Sequence, residues 1–267
     1  MPLLPIALSV FRESVRDKVF YNLLLFAVIL VAASLLVGQT TAGQDVKIIK
    51  DLGLAATSLF GIFIAVFVGI NLVWKEVERR SVYNVLSKPV RRPALVVGKY
   101  LGLSLTLLVN VSVMALALYA VLAYMNQGFP ESVRQAWDAP ALDPALLIAF
   151  VLILAQLLMM TAVALFFSTF SSPMLSAVFT FGLYVAGHFN ADLKNFETIV
   201  SLRPVVWVAR ALYYVLPNLA SLDVKSQVVH GQPVAAGYVS LSLLYAAVYI
   251  VMLLGAASLI FARRDLK

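Results

Sequence analysis

The sequence predicts an all-α membrane protein with six transmembrane helices, on two observations. Hydrophobic residues make up 62% of the 267-residue chain, whereas soluble domains have about 45–50%. Six long runs contain no Asp, Glu, Lys or Arg, and they cover residues 19–38, 52–74, 100–125, 144–167, 174–189 and 234–262. A spanning helix needs about 20 apolar residues, and its backbone satisfies its own hydrogen bonds. We therefore expect one transmembrane domain over residues 1–267, with one helix in each run.

The first and fifth runs need separate arguments. The first follows a cluster of basic residues, as in a signal peptide, but it is longer than the apolar core of a signal peptide and has no convincing cleavage site. It is therefore predicted to be a retained span. The fifth run is short. Pro173 suits its first helical turn, and residues 168–172 predict a tight connection after the fourth run.

The distribution of basic residues predicts the orientation of the chain. With the N-terminus inside, the cytoplasmic side has thirteen Lys and Arg residues and the opposite side has seven. Basic residues near spans are retained on the cytoplasmic side. Both termini are therefore predicted to be cytoplasmic, and the net charge of +7 indicates contact with anionic lipid rather than with nucleic acid.

One predicted cytoplasmic loop is unusually rich in charge. The stretch "VWKEVERRSVYNVLSKPVRRPALVVGKYLG", residues 73–102, holds seven basic and two acidic side chains, although only 12% of the chain is charged. Its pattern predicts a short helix from about Trp74 to Ser87 with one apolar side, ended by Pro89 and Pro93. The loop is either a basic anchor that binds lipid head groups or a docking surface for a protein partner.

The same loop resembles the segment after the second span of type-2 ABC transporter permeases, the membrane subunits of ATP-driven bacterial exporters. The matching residues are Glu78, Arg79, Ser81, Leu86, Ser87, Lys88, Pro89, Arg92, Gly98, Lys99 and Gly102. Three further stretches resemble the family: "FRESVRDKVFYNLLLF" (11–26) its amphipathic N-terminal helix leading into the first span, "YYVLPNLASLDVK" (213–225) a segment between the last two spans, and "ARRDLK" (262–267) its ending. The likeness is greatest to the permeases of nitrous-oxide-reductase maturation and gliding motility. Ser81-Val82 departs from the Gly-Thr that many members carry.

The resemblance implies a mechanical role for this loop. It would form a coupling helix in a groove of a separate ATPase subunit, which binds ATP and Mg²⁺, and it would transmit the closure of that subunit to the spans. Seven residues are expected to make the contact: Glu76, Glu78, Arg79, Arg80, Val82, Leu86 and Lys88. No G-x-x-x-x-G-K-[ST] motif occurs in the chain, so no ATPase activity of its own is expected. A dimer with a second permease copy or paralogue in the bacterial inner membrane is also implied.

Small and polar residues inside the runs form a second set of candidates. Gly61, Ala65 and Gly69 recur every four residues, as do Gly98 and Gly102. Such spacing lets helices approach closely, either within one subunit or across a dimer. Asn110 and Gln156 lie near the middle of their runs, where an amide is costly to expose to lipid. They either form interhelical hydrogen bonds or line a substrate pathway.

The segment 191–233 is the longest predicted outer loop. Pro204 and Pro217 bound an apolar stretch that is too short to span. It is predicted to be an interfacial helix or, as the resemblance suggests, a re-entrant gate. Arg203 and Arg210, seven residues apart, are expected to share a helical face and attract anionic groups.

Other classes of function have less support. His188 and His230 are the only histidines, and neither has a further metal ligand at a suitable spacing. An ATP-independent secondary transporter or channel would be expected to carry a mid-span acid, and no run contains one. A membrane scaffold that recruits a cytoplasmic partner without transporting anything is a further alternative.

Overall fold

The protein consists of helices and their connections. The structure, a computed structural model, describes residues 3–39, 45–78, 92–134, 137, 139–190, 206–207, 210, 213 and 216–263. The helices are α1 (Leu3–Val15), α2 (Lys18–Gln39), α3 (Asp45–Glu78), α4 (Arg92–Gly128), α5 (Glu131–Arg134), α6 (Ala145–Ser168), α7 (Pro173–His188), α8 (Lys225–Val229) and α9 (Ala236–Arg263), with a 3-10 turn at Ala220–Leu222. No strand occurs in these ranges, and the all-α prediction is confirmed.

Each of the six apolar runs lies on a helix, namely α2, α3, α4, α6, α7 and α9. Four of these helices are long and apolar enough to cross a membrane: α3, α4, α6 and α9. A fifth span is counted if α1 and α2, which meet at a bend of 63°, are taken as one broken span. The chain is thus an integral membrane protein with several spans, while the six-span arrangement and the cytoplasmic termini stay predictions.

Helices α3 and α4 extend well beyond the apolar runs that predicted them. α3 has 34 residues, or about 50 Å at 1.5 Å per residue, and it continues through charged residues at both ends. Apolar content marks only the part of a helix that lies in hydrocarbon, whereas the backbone hydrogen-bond ladder continues past that boundary. α3 is consequently one unbroken rod from Asp45 to Glu78.

Helices α3 and α6 form the centre of the bundle, since they are the most deeply buried of the long helices, and α9 lies at the edge. Helices α3 and α4 contact each other at two glycines of α3. A Cβ atom added at Gly53 would lie 2.5 Å from Leu118 of α4, and one added at Gly69 would lie 3.5 Å from Leu103. These two contacts show that α3 and α4 are antiparallel.

The connection between α6 and α7 is a tight turn, as predicted. The Ser172 side chain caps α7 by accepting from the Leu175 N–H at 3.5 Å, and Pro173 occupies the first turn. The Ser171 N–H donates to the Phe167 carbonyl at 3.0 Å. A Ser cap followed by Pro fits the unpaired N–H groups at a helix start.

Candidate functional site

The predicted coupling segment is only partly within the described residues. Glu76 and Glu78 lie in the last turns of α3. Trp74–Glu78 therefore continues α3 and does not begin a separate helix. Residues 79–91, which hold Arg79, Arg80, Val82, Leu86 and Lys88, lie outside the described residues, so the coupling helix stays a prediction.

The small residues of α3 lie against helices of the same chain. A Cβ atom added at Gly61 would overlap the Leu157 side chain of α6. Ala65 is buried with 1% exposure, and Gly69 faces Leu103 of α4 at an ordinary contact distance. The absence of a side chain at Gly61 thus leaves the space that the Leu157 side chain of α6 occupies.

Gly98 and Gly102 bring α1 against α4. A Cβ atom added at Gly98 would lie 2.7 Å from the Ile6 side chain, and one added at Gly102 would lie 2.6 Å from both the Ala7 carbonyl oxygen and the Val10 Cβ. The contacts Gly98–Ile6 and Gly102–Val10 follow each other in the same direction along both helices. Helices α1 and α4 are therefore parallel here. The predicted N-terminal helix is therefore packed directly on α4 through glycine.

Asn110 and Gln156 lie at the same depth in the bundle. Leu103 and Leu118 of α4 lie beside Gly69 and Gly53 of α3, and Gly61 is halfway between these two glycines. Asn110 is halfway between Leu103 and Leu118, so it lies at the level of Gly61. Gln156 immediately precedes the α6 residue that contacts Gly61. Asn110 is fully buried, and neither its amide nitrogen nor its oxygen has a hydrogen-bond partner. An unsatisfied buried amide costs about 1–3 kcal/mol per group.

Gln156 belongs to a polar network that joins three helices. Its Nε2 lies 2.9 Å from His188 Nε2 of α7, and the other ring nitrogen of His188, Nδ1, lies 2.8 Å from the Tyr184 carbonyl oxygen. The Tyr184 hydroxyl lies 3.3 Å from that of Ser58 in α3. The Tyr184 and His188 rings pack edge to face, with centroids 4.6 Å apart. This network links α3, α6 and α7 at the level of Asn110.

The sequence reasoning missed His188, Tyr184 and Ser58. The available signal was the spacing of Tyr184 and His188, four residues apart and so on one side of a helix. His188 ends α7, and it was considered only as a metal ligand. Within the described ranges, no group of three His, Asp or Glu residues is arranged to hold a metal ion.

Within the predicted outer segment, residues 216–222 are hydrogen-bonded to two helices. The Leu219 N–H donates to the Gly187 carbonyl of α7 at 3.1 Å, and Leu219 is fully buried. On the other side, the Asn218 N–H donates to the Tyr245 hydroxyl of α9 at 2.8 Å. The Ser221 carbonyl accepts from hydroxyls of α9 at 2.8 and 3.1 Å.

These bonds explain how irregular backbone is tolerated beside the helices. Backbone groups away from water need partners, and here tyrosine and serine hydroxyls supply them. Arg210 and Trp207 are exposed, and Arg203 lies outside the described residues. The interfacial helix and the re-entrant gate both stay predictions for the 191–233 segment.

Comparison with known proteins agrees with this architecture. The sequence model described as ABC-2 family transporter protein matches residues 4–266. The chain belongs to the ABC-2 transporter family. No curated protein matches the chain. The resemblance to type-2 ABC permeases is therefore confirmed over nearly the whole length.

Membership of the ABC-2 family places the chain in an ABC transporter system with an ATPase partner. Members are membrane transport subunits and are generally not catalytic. Around Gln156, the polar side chains of this ABC-2 protein that meet among the described residues are an amide, two hydroxyls and an imidazole. That chemistry suits binding and helix contact.

A buried lysine links α3 to the connection before α6, at the end of the bundle that is predicted to face outward. Lys50 of α3 has no exposed surface, and its Nζ donates to the Pro140 carbonyl at 2.8 Å. The Tyr119 hydroxyl of α4 donates to the Asp143 carbonyl at 3.0 Å, and the Asp143 carboxylate accepts from the Ala145 N–H at 2.8 Å. The connection before α6 is thereby tied to both α3 and α4.

Proposed function

We propose that this chain is the permease subunit of an ATP-driven exporter and that it couples ATP hydrolysis in a separate subunit to movement of its spans. Two permease subunits, as copies or paralogues, would sit above two ATPase subunits in the bacterial inner membrane. Residues 76–88 would dock in the ATPase, with Glu76 and Glu78 at the end of α3 and the residues after them as the coupling helix. Family membership supports the class of protein, and the proposal adds the direction and the route of coupling.

The observation that carries the proposal is the continuity of α3. It runs without a break from Asp45, through its contacts with α4 and α6, to Glu78 at the start of the charged segment. An unbroken helix transmits a displacement of one end to the other, because its backbone hydrogen bonds resist bending. Movement of a docked 76–88 segment would therefore reach Gly61, and beyond it Lys50, in one step.

The passage for substrate is proposed to lie beside the buried amides. Asn110 and Gln156 share a depth and carry unpartnered polar atoms, which suits a place where a polar group passes. The 191–233 segment, with Arg203 and Arg210, would close the outer end. Anionic groups on a substrate would meet the exposed Arg210 first.

The test is copurification of a tagged chain from its native host. We expect an ATPase with a G-x-x-x-x-G-K-[ST] motif to copurify, and we expect the double charge reversal Glu78→Lys with Arg79→Glu to abolish this. The matched control is Glu131→Lys, a charge reversal at an exposed residue of α5, which is predicted to lie on the opposite side of the membrane.

Two results would contradict the proposal. One is a wild-type chain that is stable, active and free of any ATPase in detergent. The other is copurification that survives the double reversal at the level of the Glu131→Lys control. Loss in both variants would also count against a specific contact at residues 78 and 79.

A further inference from the structure

The two hydrogen bonds of His188 have a fixed direction. A backbone carbonyl only accepts, so the 2.8 Å contact with the Tyr184 oxygen requires a hydrogen on Nδ1. A neutral imidazole carries one N–H, so Nε2 then has a lone pair and accepts. The group 2.9 Å from Nε2 is the Gln156 amide nitrogen, which donates. The network is therefore ordered from Gln156 to His188 to the Tyr184 carbonyl.

This order fixes which atom of Gln156 faces the rest of the bundle. The amide nitrogen is committed to His188, so the oxygen points away from it. That oxygen is buried and has no partner, in a residue with 1% exposure. Gln156 thus presents an unsatisfied hydrogen-bond acceptor to the interior of the bundle.

Protonation of His188 would reverse this arrangement. A proton added at Nε2 makes both ring nitrogens donors, so Nε2 can no longer accept from the amide nitrogen. Rotation of the Gln156 amide by half a turn brings its oxygen to Nε2–H, where it accepts a charge-assisted hydrogen bond. The same rotation turns the amide N–H groups toward the interior. The hydrogen bond between α6 and α7 is kept, while the group that Gln156 presents to the bundle interior changes from an acceptor to a donor.

We propose that the protonation state of His188 sets the hydrogen-bonding character that Gln156 presents to the bundle interior. With a neutral ring, Gln156 offers an acceptor that suits a neutral hydroxyl- or amide-bearing group. With a protonated ring it offers a donor. The use of this surface by a transported substrate rests on the proposed function, but the rotation of the amide does not.

The described groups that contact His188 are uncharged. Its described contacts are with Gln156 of α6 and with Tyr184 of its own helix, whose phenol ring packs against the imidazole. Ser58, the α3 member of the network, is uncharged. On the outer segment, Asp223 and Lys225 pair with each other at 3.2 Å. No described contact of His188 involves a carboxylate or a cation.

The test is solid-state NMR of the full chain in lipid vesicles, with ¹³C,¹⁵N-labelled His and Gln. His230 is an internal control, because its Nδ1 also lies 2.8 Å from a carbonyl, that of Ser226, while its side chain is exposed and has no glutamine partner. At neutral pH we expect a neutral His188 with its hydrogen on Nδ1 and a correlation between the Gln156 amide protons and His188 Nε2. On acidification that correlation should be lost and replaced by one between the Nε2 proton and the Gln156 side-chain carbonyl carbon.

A neutral His188 with its hydrogen on Nε2 would overturn the proposal, since the order of the network would then be wrong. So would a Gln156 amide that does not rotate when His188 becomes protonated, or a ring that stays neutral while His230 titrates. Gln156→Met keeps a side chain of similar length without the amide, and it should remove both correlations and leave the His230 signals unchanged. None of these readouts needs the ATPase, so failure here is distinguishable from failure of the proposed function.

Discussion

The contact of α1 with α4 at Gly102 makes a quantitative prediction. In Gly102→Ala the new Cβ would lie 2.6 Å from the Ala7 carbonyl oxygen, about 0.8–1 Å closer than an ordinary contact between non-bonded atoms at about 3.5 Å. The close atom belongs to backbone, so α1 as a whole has to move. Overpacking of this kind costs about 1–3 kcal/mol.

Gly255→Ala is a control that separates the cost of the clash from the other effects of a Gly→Ala substitution. An added Cβ at Gly255, inside α9, meets nothing within 4 Å, and Gly→Ala in a helix interior gains about 0.5–1 kcal/mol from backbone entropy. Both substitutions share this gain. The difference between Gly102→Ala and Gly255→Ala therefore measures the clash with α1 alone, which we expect to be about 1–3 kcal/mol.

The assay is limited trypsin digestion in detergent, because Arg12 lies in α1 and Arg16 just after it. A cost of about 1–3 kcal/mol makes detachment of α1 about 5- to 150-fold more frequent. Cleavage at Arg12 and Arg16 should be faster by the same factor in Gly102→Ala than in Gly255→Ala, and the thermal midpoint should be lower. Equal cleavage rates and equal midpoints in the two variants would refute the reasoning that α1 packs on α4 through this glycine.

Three further predictions concern the outer end and the topology. Lys50→Met should lower the free energy of unfolding by about 0.5–1.5 kcal/mol, because the hydrogen bond from Lys50 to the Pro140 carbonyl is lost; an unchanged thermal midpoint would contradict this. Gly187→Cys with Leu219→Cys should form a disulfide under mild oxidation after a small shift of the backbone, since a Cβ at Gly187 would lie 2.8 Å from both Leu219 Cγ and the Pro217 carbonyl oxygen and the native chain has no cysteine; free thiols under oxidant would argue against the contact. On intact cells a membrane-impermeant maleimide should label Gln232→Cys but not Ser9→Cys, both being exposed positions, and the opposite pattern would invert the topology.

The sequence predicted the helices well because apolar runs report directly on burial in hydrocarbon. Every run lies on a helix, and the Pro173 argument located the start of α7 correctly. The full lengths of α3 and α4 were not predictable in the same way. Their ends carry charged residues, and hydropathy cannot distinguish a helix that continues into the interface from a loop.

The candidate site was predictable only in part. A mid-span amide such as Gln156 stands out in the sequence because it is costly in lipid. Its partner does not, since the contact with His188 depends on how α6 and α7 face each other after the turn at Ser172. The spacing of Gly61 and Gly102 likewise predicted close helix packing. It did not predict that α6 packs on Gly61 or that α1 packs on Gly102.

The brevity of α7 has a consequence for the surrounding lipid. Its 16 residues rise about 24 Å, several ångströms less than the roughly 30 Å of a hydrocarbon core. Such a mismatch is relieved when the bilayer dimples beside the short element or when flanking protein covers the shortfall. At the His188 end, the backbone around Leu219 is placed to provide that cover. The irregular backbone around Leu219 would therefore complete the part of the hydrocarbon thickness that α7 alone does not reach.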